Sequence, residues 1–170
     1  MPTIAVLGTF DTKGVEHGFL AEAIRRAGFA TLLIDVGSLN LPTLLPDISA
    51  DTVAAAAGEP QYRALLDRRD RGESVTFMGR AAAKLLLDLA ARDQIHGIIS
   101  LGGGGGTAIA TAAMRALPIG FPKVMVSTLA SGNTAHYVGT SDIAMFPAIE
   151  PSDLVILTQA IDFLVEALHE

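Results

Sequence analysis

The 170-residue chain has no cysteine. That excludes thiolate catalysis, cysteine-type zinc sites and disulfides, and it fits a reducing compartment. Tryptophan is also absent and aromatics make up only 5% of the residues, so a core has to be built from Leu, Ile, Val and Ala. No apolar run reaches the roughly 18 residues that a membrane span needs. Basic charge is scarce: 12 Lys and Arg stand against 18 Asp and Glu, for a net charge of −6. The densest basic run, Arg68, Arg69 and Arg71, is offset by Asp67, Asp70 and Glu73. An electrostatic footprint for direct nucleic-acid binding is missing. The first residues, MPTIAVLG, lack a basic region and read as a strand, not a signal peptide. A cytoplasmic location with no membrane attachment is the expectation.

Half of the residues are hydrophobic, ample for one folded domain over residues 1–170. Ile4 to Leu7 is a continuous apolar run, as in a parallel strand buried on both faces. A loop over 8–14 follows. Val15, Phe19, Leu20, Ala23, Ile24 and Ala27 then recur at helical spacing, stopped by Gly28. Ala30 to Val36 is a second strand, completing a βαβ unit. Asp51 to Ala57 forms a short helix, and Tyr62 to Arg71 another. Ser74 caps a longer helix running to about Arg92. Strands at His96–Leu101 and Pro122–Ser127 flank five glycines, Gly102 to Gly106, and a helix from Thr107 to Leu117. A segment at Asp142 to Phe146 precedes a last helix, opened by Pro151, Ser152 and Asp153. Leu154, Leu157, Ile161, Leu164 and Leu168 form its apolar stripe. The alternation predicts an α/β, Rossmann-like three-layer sandwich with a mostly parallel sheet, and 2-1-3-4-5 is the expected strand order.

In such a sheet, ligands bind beyond the carboxyl ends of the strands. The glycine run stands at one of those ends, between a strand and a helix. Residues without side chains let backbone N–H groups approach a phosphate, and a helix N-terminus favours an anion. The bland alternative is a tightly packed turn. No Lys follows the glycines as in a P-loop, and the dinucleotide pattern lacks its acidic residue about 20 positions on. Lys13, one of only three lysines, reads either as a point charge for a terminal phosphate or as a solvated surface lysine. Asp11 reads as a Mg²⁺ ligand shared with phosphate oxygens, or as a helix N-cap. Asp35 reads as a ribose acceptor or a turn residue. Ser127, Thr128, Ser131 and Thr134 supply hydroxyls, and Gly132 allows close backbone approach. Thr140, Ser141 and Asp142 form a corner that can fold back to the same rim. A Ser127–His136–Asp142 triad lacks the G-x-S-x-G elbow, and His17, His96 and His136 lack metal-ligand spacing.

Four segments also stand in the order of a known family. They are Gly-Thr-Phe-Asp-Thr-Lys-Gly at 8–14, Ser-Leu-Gly-Gly-Gly-Gly-Gly-Thr at 100–107, Pro-Lys-Val-Met-Val-Ser-Thr-Leu-Ala-Ser-Gly at 122–132 and Gly-Thr-Ser-Asp-Ile-Ala-Met at 139–145. Over about residues 1–146 the chain resembles the Tm-one-like ATP-binding domain family. The resemblance implies a Rossmann-like domain that binds ATP and forms a homodimer. It places Thr9, Asp11 and Lys13 beside the phosphates and has Gly103, Gly104, Gly105, Gly106 and Thr107 cradle them. Ser127, Thr128, Ser131 and Gly132 would complete the pocket. The chain departs from the family after residue 145, where it reads Phe-Pro-Ala-Ile-Glu-Pro-Ser-Asp-Leu in place of a Gly-Leu-Asn-rich stretch. Family members run to roughly twice this length, so a second domain or subunit is a further expected partner.

The leading expectation is therefore a nucleotide-binding module for ATP with Mg²⁺, coupled to dimerisation or a partner domain. No residue stands out as a general base for hydrolysis, with Asp11 and Asp142 the candidates. The alternative is an enzyme acting on a small phosphorylated or carboxylate metabolite, with Lys13 as electrophile or acid. An apolar slot for adenine, lined by Phe10, Leu39 and Leu129, distinguishes the two. A third reading is a protein-interaction domain using the stripe on the last helix.

Overall fold

The computed structural model describes residues 1–58, 70–150 and 153–169. Five strands form one sheet: β1 (Thr3–Gly8), β2 (Ala30–Asp35), β3 (Gly97–Gly102), β4 (Lys123–Ser127) and β5 (Ala144–Pro147). Every pairing is parallel, as the alternation predicts, and the order is the expected β2-β1-β3-β4-β5. Among the described residues the helices are α1 (Phe10–Arg26), α2 (Ala50–Ala56), α3 (Arg71–Ala91), α4 (Gly104–Met114), α5 (Ala135–Val138) and α6 (Leu154–Ala167). None is long and apolar enough to cross a membrane.

Strand alternation divides the core into two layers. Ala5 and Leu7 of β1 point to the side of α2, α3 and α4, joining Val53, Phe77, Met78 and Ile109. Ile4 and Val6 point to the side of α1 and α6, joining Leu20, Ile24, Leu157 and Leu164. Burial on both faces is why Ile4 to Leu7 of β1 read as an unbroken apolar run. The result is the expected Rossmann-like three-layer sandwich.

Several local expectations fail, each for a physical reason. The segment 8–14 is not a loop: Gly8 ends β1, Thr9 is the N-cap, and Phe10 already begins α1. The helix kinks at Lys13, where φ is −130° and ψ is 28°. Val15 is 81% exposed and Ala27 is exposed, because the buried stripe of α1 runs through Gly14, His17, Leu20, Ala21 and Ile24. A periodicity read over apolar residues passes over a glycine and a histidine. Gly104, Gly105 and Gly106 are likewise the first turn of α4, not a loop before Thr107. Ser74 does not cap α3. The helix starts earlier, and the Asp70 carboxylate accepts from the Glu73 N–H at 3.0 Å. The helix expected over Tyr62 to Arg71 lies largely outside the described residues, as do Pro151 and Ser152. Asp153 caps α6 by accepting from the Val155 and Ile156 N–H groups. Leu157, Ile161 and Leu164 of its stripe are buried, whereas Leu154 is exposed.

Candidate functional site

The order β2-β1-β3 makes the chain reverse direction across the sheet between β1 and β3. The crevice beyond their carboxyl ends is where an open α/β sheet binds its ligands. A cleft of about 260 Å³ opens there. The β1–α1 junction gives it Thr9, Asp11, Thr12 and Lys13, and the segment after β2 gives it Val36, Ser38 and Leu39. Gly103 to Gly106 and Ile109 come from the β3–α4 junction, and Arg71 and Val75 from the start of α3.

The first turn of α1 is tied down from several sides. Strand register sets Asp35 opposite Gly8. From there the Asp35 carboxylate accepts from the Phe10 N–H at 3.0 Å and the Gly37 N–H at 2.8 Å. Burial pushes the Asp35 carboxyl above its ordinary range, those two bonds oppose the rise, and the neighbouring Asp11 charge adds to it. Asp35 is thus a buried clamp between β2 and α1. The Asp11 Oδ2 atom accepts from the Leu39 and Asn40 N–H groups at 3.0 and 3.2 Å. Its Oδ1 is buried without a hydrogen-bond partner, and lies 2.5 Å from where a Cβ on Gly37 would stand. Asp11 therefore fastens the segment after β2 to α1 instead of capping the helix. The Thr12 and Lys13 N–H groups donate to the Thr9 carbonyl at 3.2 and 2.8 Å. Lys13 is partly exposed at the cleft, with its Nζ 3.6 Å from Glu16.

Across the cleft, Gly103 is the N-cap of α4 and brings no side chain to the first-turn N–H groups. A helix leaves those donors without partners of its own. Thr107 and Ser127 lie behind this turn. Their hydroxyls are fully buried and 2.7 Å apart, and Ser127 also accepts from the Leu129 N–H. They join the start of α4 to the end of β4 and do not line the cleft. Thr128 stands beside Gly103, with its Oγ1 3.7 Å from where a Cβ would sit. Ser131 and Gly132 are exposed in the turn after β4, outside the cleft.

The expected adenine slot is not assembled. Phe10 is wholly in the core, its ring centroid 5.3 Å from that of His17. Leu39 borders the cleft, but Leu129 does not. The apolar wall is instead Val36, Leu39, Val75 and Ile109. Arg71 also lines the cleft, although in sequence its charge is balanced by acidic neighbours. Only the fold shows that the start of α3 faces the glycine turn. A Cβ on Gly105 would lie 3.8 Å from its Nη2.

The Thr140–Asp142 corner does not return to this rim. Asp142 accepts from the Lys123 ammonium at 2.5 Å and from the Gly120 N–H at 2.8 Å, at the amino end of β4. Burial raises the Asp142 carboxyl, but Lys123 and Gly120 outweigh it and hold the group below its usual range. The Ser127–His136–Asp142 triad is correspondingly absent as a unit. Among the described residues, no group of three or more His, Asp or Glu is placed to hold a metal ion.

The family model described as the N-terminal domain of an uncharacterised protein family (UPF0261) matches residues 2–160. The chain belongs to that family. A UPF0261 protein of Rhizobium meliloti is 50% identical over 149 residues, covering 88% of this chain and 36% of its own length. A UPF0261 protein of Clostridium tetani is 46% identical over 146 residues, covering 86% and 36%. The ToMV susceptible protein tm-1(GCR26) of Solanum lycopersicum is 34% identical over 166 residues, covering 87% and 22%. The resemblance drawn from the four motifs thus holds at the level of the family. The chain spans about a third of the length of its UPF0261 relatives, less than the half expected from the sequence.

Proposed function

We propose that this domain binds a nucleotide, ATP with Mg²⁺, in the cleft between β1 and β3. The phosphates would lie on the first turn of α4, with Lys13 and Arg71 as counter-charges. The base would lie against Val36, Leu39, Val75 and Ile109. One observation carries the reading. Glycine in a helix costs about 1 kcal/mol relative to alanine, yet α4 begins with three glycines that the fold does not require. A Cβ on Gly104 would meet nothing within 4 Å, and on Gly105 or Gly106 nothing closer than 3.7 Å. None of the three has a positive φ. The room above them is left open at the cleft, where bare N–H groups and the helix dipole favour an anion.

Magnesium would enter as the counter-ion of the triphosphate, with Asp11 the nearest carboxylate. Ser127, Thr107 and Asp35 would support the site from behind, without touching the ligand. Coupling to a homodimer, or to the portion that extends beyond this domain in the longer relatives, would give binding a regulatory outcome. A second reading follows from the size of the cleft. Ligand pockets usually enclose about 300–1,000 Å³, and 260 Å³ suits a small phosphorylated or carboxylate metabolite at least as well.

Calorimetric titration with ATP, with and without Mg²⁺, tests the proposal beside a Lys13→Ala variant. Micromolar affinity that is lost in the variant is expected. No heat with either protein overturns the ATP reading. Retained binding of pyrophosphate, with ATP gaining nothing from its adenosine, selects the small-anion reading.

A further inference from the structure

His17 takes no part in the cleft, but it is bonded to a residue that does. Its ring is completely buried, one turn along α1 from Lys13. Its Nδ1 lies 2.7 Å from the Lys13 carbonyl oxygen. A carbonyl only accepts, so Nδ1 carries the proton and Nε2 is the bare nitrogen of a neutral imidazole. That Nε2 has no hydrogen-bond partner. An apolar side chain of similar size would avoid leaving a buried acceptor unsatisfied, so packing alone does not account for a histidine here.

The bond falls where the helix leaves its regular path, at the Lys13 kink. The end of β1 is shaped around the same ring: a Cβ on Gly8 would stand 1.9 Å from Nε2. One imidazole therefore links the last residue of β1, the kink of α1 and the Phe10 ring beside it. The turn so fixed is the one that brings Thr9, Thr12 and Lys13 to the cleft. We propose that His17 is a positioning residue for the anion site, its Nδ1–H holding the Lys13 carbonyl so that the Thr9–Lys13 turn faces the first turn of α4. The proposal rests on the anion-binding reading of the cleft.

Two variants separate this role from packing. His17→Leu fills the space without a donor. His17→Asn can keep an N–H near the Nδ1 position. Thermal melts first establish that both fold. Affinities for ATP, pyrophosphate and adenosine are then measured on each. The expected result is a loss of about tenfold or more for ATP and pyrophosphate in His17→Leu, unchanged adenosine binding, and recovery in His17→Asn. Unchanged phosphate affinity in His17→Leu, or an equal loss for adenosine, overturns the role. Amide hydrogen exchange over residues 10–14, without ligand, gives an independent arm. Exchange should be faster in His17→Leu and restored in His17→Asn, and equal rates in all three proteins refute the positioning. If the wild type binds neither ATP nor pyrophosphate, the cleft reading fails, and the exchange arm alone decides whether His17 holds the turn.

Discussion

Acid should destabilise this domain through His17. Burial lowers the imidazole from 6.5 to about 4, against the pull of the Lys13 and Leu7 backbone carbonyls and the Glu16 charge, which favour protonation. The unfolded chain therefore binds a proton at pH values where the native state refuses it. The stabilisation is present above pH 6.5, is lost as pH falls from 6.5 towards 4, and changes no further below that. Each tenfold difference in proton affinity is worth about 1.4 kcal/mol, so the whole window amounts to about 3 kcal/mol. For a chain of this size that is a fall of roughly 6–12 °C in Tm. Urea unfolding at pH 7 and pH 4 measures it, with the His17→Leu variant as reference. The raised Asp35 carboxyl works in the opposite direction: its contribution is present at low pH and is lost as pH rises through its folded value. Asp35 remains in both proteins, so it cancels in the difference. The wild type should lose about 3 kcal/mol more than the variant between the two pH values. Equal losses, or a larger loss in the variant, would refute the reasoning.

Other substitutions probe the remaining contacts. Gly104→Ala should raise stability by up to about 1 kcal/mol while weakening nucleotide affinity in the same titration, because its methyl group enters open cleft space. Gly102→Ala should do the reverse to stability. A Cβ there would lie 3.2 Å from the Gly106 Cα, and overpacking of this kind costs about 1–3 kcal/mol in denaturant unfolding. Asp142→Asn should remove the counter-charge of the Lys123 ammonium, which is fully buried but keeps the Pro118 and Phe121 carbonyls at 2.7 and 2.9 Å, while Asp142 itself is 39% exposed. The cost, read by thermal or urea unfolding, should fall below the roughly 3–5 kcal/mol of a broken fully buried pair, with nucleotide affinity unchanged.

The sheet was legible because parallel strands covered on both faces are rich in apolar residues, as in Ile4 to Leu7 of β1, Ile98 and Ile99 of β3 and Val124 to Val126 of β4. The βαβ alternation implies a parallel sheet, for which 2-1-3-4-5 is one of the common doubly wound orders. The cleft was legible in part, since Lys13, Asp11 and the glycines stand next to strand ends. The rest depended on tertiary placement. Arg71 faces the cleft only because α3 begins beside the glycine turn. Phe10 looked available in a polar segment, but α1 starts there and turns its ring into the core. Ser127 and Thr107 looked like ligand hydroxyls, but each satisfies the other behind the wall. Asp142 lies just before β5, which runs parallel to β4, so the topology puts it at the amino end of the sheet, where it meets Lys123.

The most direct test follows backbone amide signals by nitrogen-15 NMR as ATP and Mg²⁺ are added. Nucleotide binding in the cleft predicts that the amides of Gly103 to Gly106 and Thr9 to Lys13 move together, saturably, with those around Lys123 and Asp142 unmoved. No movement at the glycine turn, or movement centred at the amino end of the sheet, would contradict it.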